Sequence, residues 1–226
     1  MKINPLIFFD FETGGLSGKK NPATEIGMLC VDGSTMMEVG RYSSYIEPYH
    51  GYEYDDAALQ YTGITFQKLQ QEGVPLKVVV DKMVEEVKKW HKATTETHTK
   101  KPILVGHNPE FDIVFLQQIF KETKNDLRCF HGYDDFYGHY QPTIIDTINI
   151  SKWAYGADET MVNFKLGTCV SKVGLSLPDA HKAMNDVVGT KELFIKYVNR
   201  LRTDISLLDE DQQQKIRFRE NFKFQF

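Results

Sequence analysis

Apolar positions divide the chain into a strand-rich front and a remainder in which strands alternate with helices. Residues 6–12 (Leu-Ile-Phe-Phe-Asp-Phe-Glu) are almost continuously apolar until two acids appear, which predicts a strand buried on both faces. Two further strands are predicted at 23–31 and 36–46, with turn chemistry at Val31-Asp32-Gly33-Ser34 between them. The front of the chain is therefore a three-stranded meander. Residues 47–72 hold no sustained period and read as loop-rich. From 76 to 90 the period changes: Val79, Val80, Met83, Val84, Val87 and Trp90 recur three and four apart, as on one face of a helix. A polar stretch at 91–100 leads into a short buried strand at 102–105. Asn108-Pro109-Glu110 predicts a helix start, with Asn capping, Pro at the first position and Glu near the positive dipole end. That helix continues to 120. The pattern then predicts a strand at 143–146, helices at 147–155 and 165–173, and a final helix at 180–201. Strands first, then strands alternating with helices, make an α/β domain on a mixed sheet.

Composition narrows the classes. A chain of 226 residues suffices for one well-buried domain. We expect that domain over 1–203, with a tail at 204–226. Apolar residues are 41% and charged residues 26%, as in ordinary globular proteins. No apolar run approaches the ~20 residues of a membrane span, and acids at 10 and 12 come too early for a secretory signal. The three cysteines, Cys30, Cys129 and Cys169, are widely spaced and are expected as reduced core thiols, which points to the cytoplasm. A net charge of −4 argues against coating long stretches of nucleic acid. It does not exclude gripping a few nucleotides at a strand end.

The chemistry begins at Asp10 and Glu12. Residues i and i+2 of a strand share a face, so two carboxylates converge at the rim of a core element. Alone, such a pair is usually a strand end dipping into solvent. Buried together, the two need a neutralising partner, and hard divalent cations take oxygen ligands. Asp112 is predicted one turn into its helix, where it either complements the dipole or joins the site. Asp186 borders the apolar stripe Leu193, Phe194, Tyr197, Val198 and Leu201 of the last helix. His181 lies five residues earlier, roughly 140° away on a helix, so both reach one site only if His181 precedes the helix. Leu177-Pro178-Asp179 favours such a boundary. Four carboxylates and an imidazole are the equipment for two-metal hydrolysis of a phosphodiester, with the imidazole taking a proton from water at neutral pH.

These residues resemble, in order, the three motifs of the DEDDh family of 3′–5′ exonucleases. The motifs are Asp10-Phe11-Glu12-Thr13-Gly14-Gly15-Leu16, His107-Asn108-Pro109-Glu110-Phe111-Asp112 and His181-Lys182-Ala183-Met184-Asn185-Asp186. Accessory matches are Glu25-Ile26-Gly27, Gly63-Ile64-Thr65, Asp146-Thr147, Lys165-Leu166 and Val173-Gly174. The resemblance spans about 6–198. It implies a ribonuclease H-like fold, α/β, with a central five-stranded mixed sheet flanked by helices. It implies two divalent ions, Mg²⁺ with Mn²⁺ also active, held by Asp10, Glu12, Asp112 and Asp186, with His181 as general base. It places Thr13 near the terminal 3′-hydroxyl and Leu16 against the last base. Asn108 joins them among the substrate-binding positions, as a support, with His107 beside it.

The expected reaction releases nucleoside 5′-monophosphates from the 3′ end of single-stranded or frayed DNA. Exoribonuclease or oligoribonuclease activity, and a non-catalytic nuclease-fold subunit, are the alternatives. Many relatives carry Thr-Thr-Gly where this chain has Thr13-Gly14-Gly15, which predicts a looser loop at the scissile end. The 121–140 insertion carries Asp134, Asp135 and the aromatics Phe130, Tyr133, Phe136, Tyr137 and Tyr140. It either stacks bases or packs over the domain edge, the reading we favour. The tail from 216 alternates polar and aromatic residues, a period suited to an added strand or to docking on a polymerase or sliding clamp. No membrane partner is expected.

Overall fold

A computed structural model describes residues 4–94, 101–130, 132–134, 139–141, 143–179 and 181–206. Its centre is β1 (Leu6–Thr13), flanked by antiparallel β2 (Ala23–Val31) and parallel β4 (Ile103–Gly106). Outside these lie β3 (Glu38–Tyr45) and β7 (Thr143–Asp146), giving the order β3-β2-β1-β4-β7. This is the five-stranded mixed sheet that was expected. Helices cover both of its faces.

Period two on β1 sorts the two layers. Ile7, Phe9 and Phe11 enter a core with Val79, Val80, Met83, Val87 and Trp90 of α3 (Leu76–Thr94) and with Phe115, Leu116 and Ile119 of α4 (Pro109–Glu122). Leu6 and Phe8 enter a second core with Val187 and Phe194 of α7 (Ala183–Ser206). The Phe8 and Phe194 rings meet edge to face at 5.6 Å, a geometry that adds about 0.5–1.5 kcal/mol beyond burial. Helices α5 (Thr147–Tyr155) and α6 (Leu166–Lys172) pack on α7 around Cys169, Val170, Leu193 and Tyr197.

Two expectations need correction, the loop at 47–72 and the start of the last helix, and the shape of 121–140, left open, is partly described. Residues 47–72 hold two short helices, α1 (Asp56–Thr62) and α2 (Phe66–Glu72), where a loop was expected. Asp55 and Thr65 cap their starts by accepting from the Ala57 and Lys68 amides, and Gly63 ends α1 at φ 66°. Two turns carrying one buried leucine each, Leu59 and Leu69, give too little period to recognise. The 121–140 segment holds a 3-10 turn, Leu127–Cys129, and a hairpin of β5 (Gly132–Asp134) with β6 (His139–Gln141). Phe130 is buried there against Phe120. The final helix starts at Ala183, three residues later than expected. The expectations for Phe136, Tyr137 and the tail beyond 206 lie outside the described residues, as do those for the Tyr133 and Tyr140 side chains.

Candidate active site

On the α7 face of β1, apolar residues give way to acids. Asp10 and Glu12 follow Leu6 and Phe8 at period two, opposite Gly27 and Glu25 of β2. Pairing between β1 and β4 stops at Phe8. Beyond it the Phe11 amide donates to Asp112 Oδ1 at 2.9 Å, which fixes a buried carboxylate from the first turn of α4 beside the acidic end of β1.

Asp186 arrives from the first turn of α7, and Gly27 makes that approach possible. A Cβ at Gly27 would stand 2.7 Å from the Ala183 carbonyl carbon and 2.8 Å from the Met184 amide nitrogen. Glu25 Oε2 accepts from the Ala183 amide at 3.5 Å. His181 precedes the helix in a left-handed conformation, φ 69°, which frees it from the helical spacing that would separate it from Asp186. Its amide lies 3.4 Å from Asp186 Oδ2, and its ring rests against Tyr61 with centroids 4.3 Å apart. One ligand atom each from Glu12, His181 and Asp186 lies within 4.8 Å of the others.

Crowding of like charge dominates the electrostatics. Burial raises Asp10 well above the usual carboxylate range, and Asp112, Glu12, Asp186 and Glu25 push it further. Glu12 rises to about 8, by burial first and then by Asp186, Glu25 and Asp112. Burial also raises Asp112, against the Phe11 amide that steadies its charge, and Asp186, against the His181 amide. Asp186 Oδ1 is buried without a hydrogen-bond donor. An unpaired buried carboxylate oxygen is costly. Several acids sharing such a site fit hard divalent cations, which bind oxygen and neutralise it.

The remaining expected residues stand around this cluster. Thr13 is buried, and its hydroxyl donates to Gly15 O at 2.7 Å. Leu16 is 88% exposed at the tip of the following loop. That loop is pinned, where looseness was expected. Gly14 N donates to Pro22 O, Ser17 N donates to Asn21 Oδ1, and Gln118 Nε2 donates to Gly18 O at 2.6 Å and Asn21 O at 2.8 Å. Gly15, at φ 153°, leaves no room for a side chain beside Asn21. Asn108 was expected to cap α4 through its side chain and makes no such bond. It sits at φ 73°, a conformation asparagine tolerates, and its amide donates to Asp146 Oδ1 at 3.1 Å. His107 bridges Thr147 Oγ1 and Phe164 O, each at 2.8 Å, tying the end of β4 to the approach of α6. A groove of about 650 Å³ is lined by His181 and Asp186 together with Tyr61, Asn108, Ile148, Lys165 and Thr168.

Sequence reasoning missed Tyr61, Gln118 and the anchoring role of Asp146. Tyr61 lay in a stretch read as loop. Gln118 binds backbone 97 and 100 residues away, a distance across which local pattern carries no signal.

The family model RNase_T, described as exonuclease, matches residues 7–194. A protein named ribonuclease T from Marinobacter nauticus is 28% identical over 201 residues, covering 87% of this chain and 83% of its own length. Among solved structures, a zinc-bound complex of E. coli exonuclease I with single-stranded DNA superposes with TM-score 0.68 at 19% identity, over 88% of this chain. E. coli exonuclease I with a dT13 oligonucleotide gives TM-score 0.68 and 19% identity over 90% of this chain. The chain spans only 41% and 43% of those two exonuclease I chains.

Proposed function

The chain belongs to the RNase_T exonuclease family of DEDDh-type, metal-dependent 3′–5′ exonucleases, and from that premise we propose that it trims single-stranded or frayed DNA from the 3′ end. The products are nucleoside 5′-monophosphates. The observation that carries the reading is the gathering of Glu12, His181 and Asp186 within 4.8 Å, beside Asp10 and Asp112, whose charges couple to theirs.

In this reading Asp10, Glu12 and Asp186 would hold one divalent ion, Mg²⁺ or Mn²⁺, and Asp112 would support a second beside Asp10. When bound, such ions lower the pKa of water and stabilise the charge on attacking and leaving oxygens. His181 takes the proton of the attacking water at a ring nitrogen, and Tyr61 holds that ring. Leu16 stands where a terminal base stacks. Thr13 lies near the terminal 3′-hydroxyl, and Asn108 lines the neighbouring groove as a support.

The DNA-bound exonuclease I neighbours favour a DNA substrate. The relatives named ribonuclease T favour RNA, which is the second reading. Matched DNA and RNA oligonucleotides, 3′-trimmed in Mg²⁺ and Mn²⁺, decide between them. We expect faster loss of DNA; faster trimming of RNA reverses the substrate, and no trimming of either removes the catalytic reading.

A further inference from the structure

Lys165 stands in the groove that leaves the carboxylate cluster. It is exposed, and its backbone is fixed where α6 begins by donation to Asn163 Oδ1 at 2.9 Å. Lys172 is engaged by Asp158 and Lys182 by Asp179. The Lys165 ammonium has no ion pair or hydrogen bond among the described residues. It is also the single lysine or arginine among the described residues lining the groove.

That placement answers a physical difficulty. A site built from Asp10, Glu12, Glu25, Asp112 and Asp186 repels a strand that carries one negative charge per nucleotide. Bound cations relieve the repulsion at the phosphate being cut and little further along, because charge between solvated groups is screened within about 8–10 Å. The strand beyond the cut needs its own counter-charge. A groove lined by the apolar Ile148 and Leu177 and by one uncommitted ammonium suits a sugar-phosphate chain, since lysine engages phosphate as a point charge.

We propose that Lys165 is a substrate-binding residue that engages a phosphodiester of the bound strand beyond the scissile bond. This rests on the exonuclease reading above and adds to it a contact with the backbone that ignores base identity. Lys165→Ala and Lys165→Arg, made in the full chain, test it through KM for 3′ trimming of oligothymidylate and of a mixed-sequence oligonucleotide over a series of potassium chloride concentrations. One phosphate contact to a single strand contributes about 0.7 to the slope of log affinity against log salt. The Ala variant should raise KM several-fold on both substrates and flatten the slope by about that amount, and Arg should restore both. Wild-type KM and slope in the Ala variant, while wild type trims normally, overturn the assignment and leave the exonuclease reading intact. A rise confined to one base sequence also overturns it, since that marks a base contact. Failure of wild type to trim at all overturns both.

Discussion

Asp10 is the residue on which opposing demands meet most sharply. Burial and the charges of Asp112, Glu12, Asp186 and Glu25 all resist its ionisation, while a divalent cation needs it ionised. Replacing it by asparagine keeps the shape and removes the charge. Asp10→Asn should therefore move stability and activity in opposite directions. The metal-free variant should melt higher than metal-free wild type at pH 8, because one of several crowded acids is gone. Exonuclease activity should fall by at least about a hundredfold, since loss even of the outer partners of metal ligands costs 10- to 100-fold. Thermal melting in EDTA and end-trimming in Mg²⁺ are the two measurements. A variant that melts lower and still trims would show that Asp10 is a structural acid.

At the level of elements, the first turn of α7 is placed by β2, and Gly27 sets the distance. In Gly27→Ala the new methyl meets backbone atoms of Ala183 and Met184 at under 3.0 Å, and backbone gives way less readily than a side-chain tip. Overpacking of this kind costs about 1–3 kcal/mol, and the turn that yields carries both Asp186 and the approach to His181. Urea unfolding should show a loss in that range, and activity should fall further than stability alone explains. Unchanged activity in the folded variant would mean that the helix start tolerates the shift. The motif Glu25-Ile26-Gly27 was visible in the sequence, yet the contact it serves was not, because Ala183 is 156 residues away. The same limit explains the other gaps. Strand β1 was legible as an apolar run from Leu6 to Phe9 closed by acids, and helix α3 because Val79 to Trp90 keep one helical period. The convergence of Asp10 with Glu12 followed from the period of two along β1. Helices α1 and α2 were hidden by their brevity. Asn108 was misread as a side-chain cap because residue type fits that role, whereas its left-handed backbone is set by Asp146 on another strand. His181 required a break in the helix, which Pro178 announced, though its contact with Tyr61 had no local signature.

The whole molecule gathers buried acids whose crowding has a predictable pH dependence. Asp10, Glu12, Glu25, Asp112 and Asp186 all have carboxyls raised by folding, Glu12 from 4.5 to about 8. Between its unfolded and folded pKa, each binds more protons in the folded chain than in the unfolded one. Stability from such groups is fully present below the unfolded pKa and is lost as pH rises through the folded one. Metal-free protein should therefore lose stability from about pH 5 to pH 8. Carboxyls lowered by folding, such as Glu38, Asp126 and Asp158, act the other way but complete their effect near their ordinary values of 3.8 and 4.5, below that window. His107, lowered by burial, adds stability as pH rises through 6.5 and opposes five carboxyls with one imidazole. If these acids hold cations as proposed, cations should reverse the trend, because ligation requires the deprotonated acids and binding to the folded state alone stabilises it. No helix among the described residues is long and apolar enough to cross a membrane. The difference in Tm between Mg²⁺ and EDTA should be small at pH 5 and grow steadily to pH 8. If that difference stays flat across the range, the buried acids are not where the cations bind.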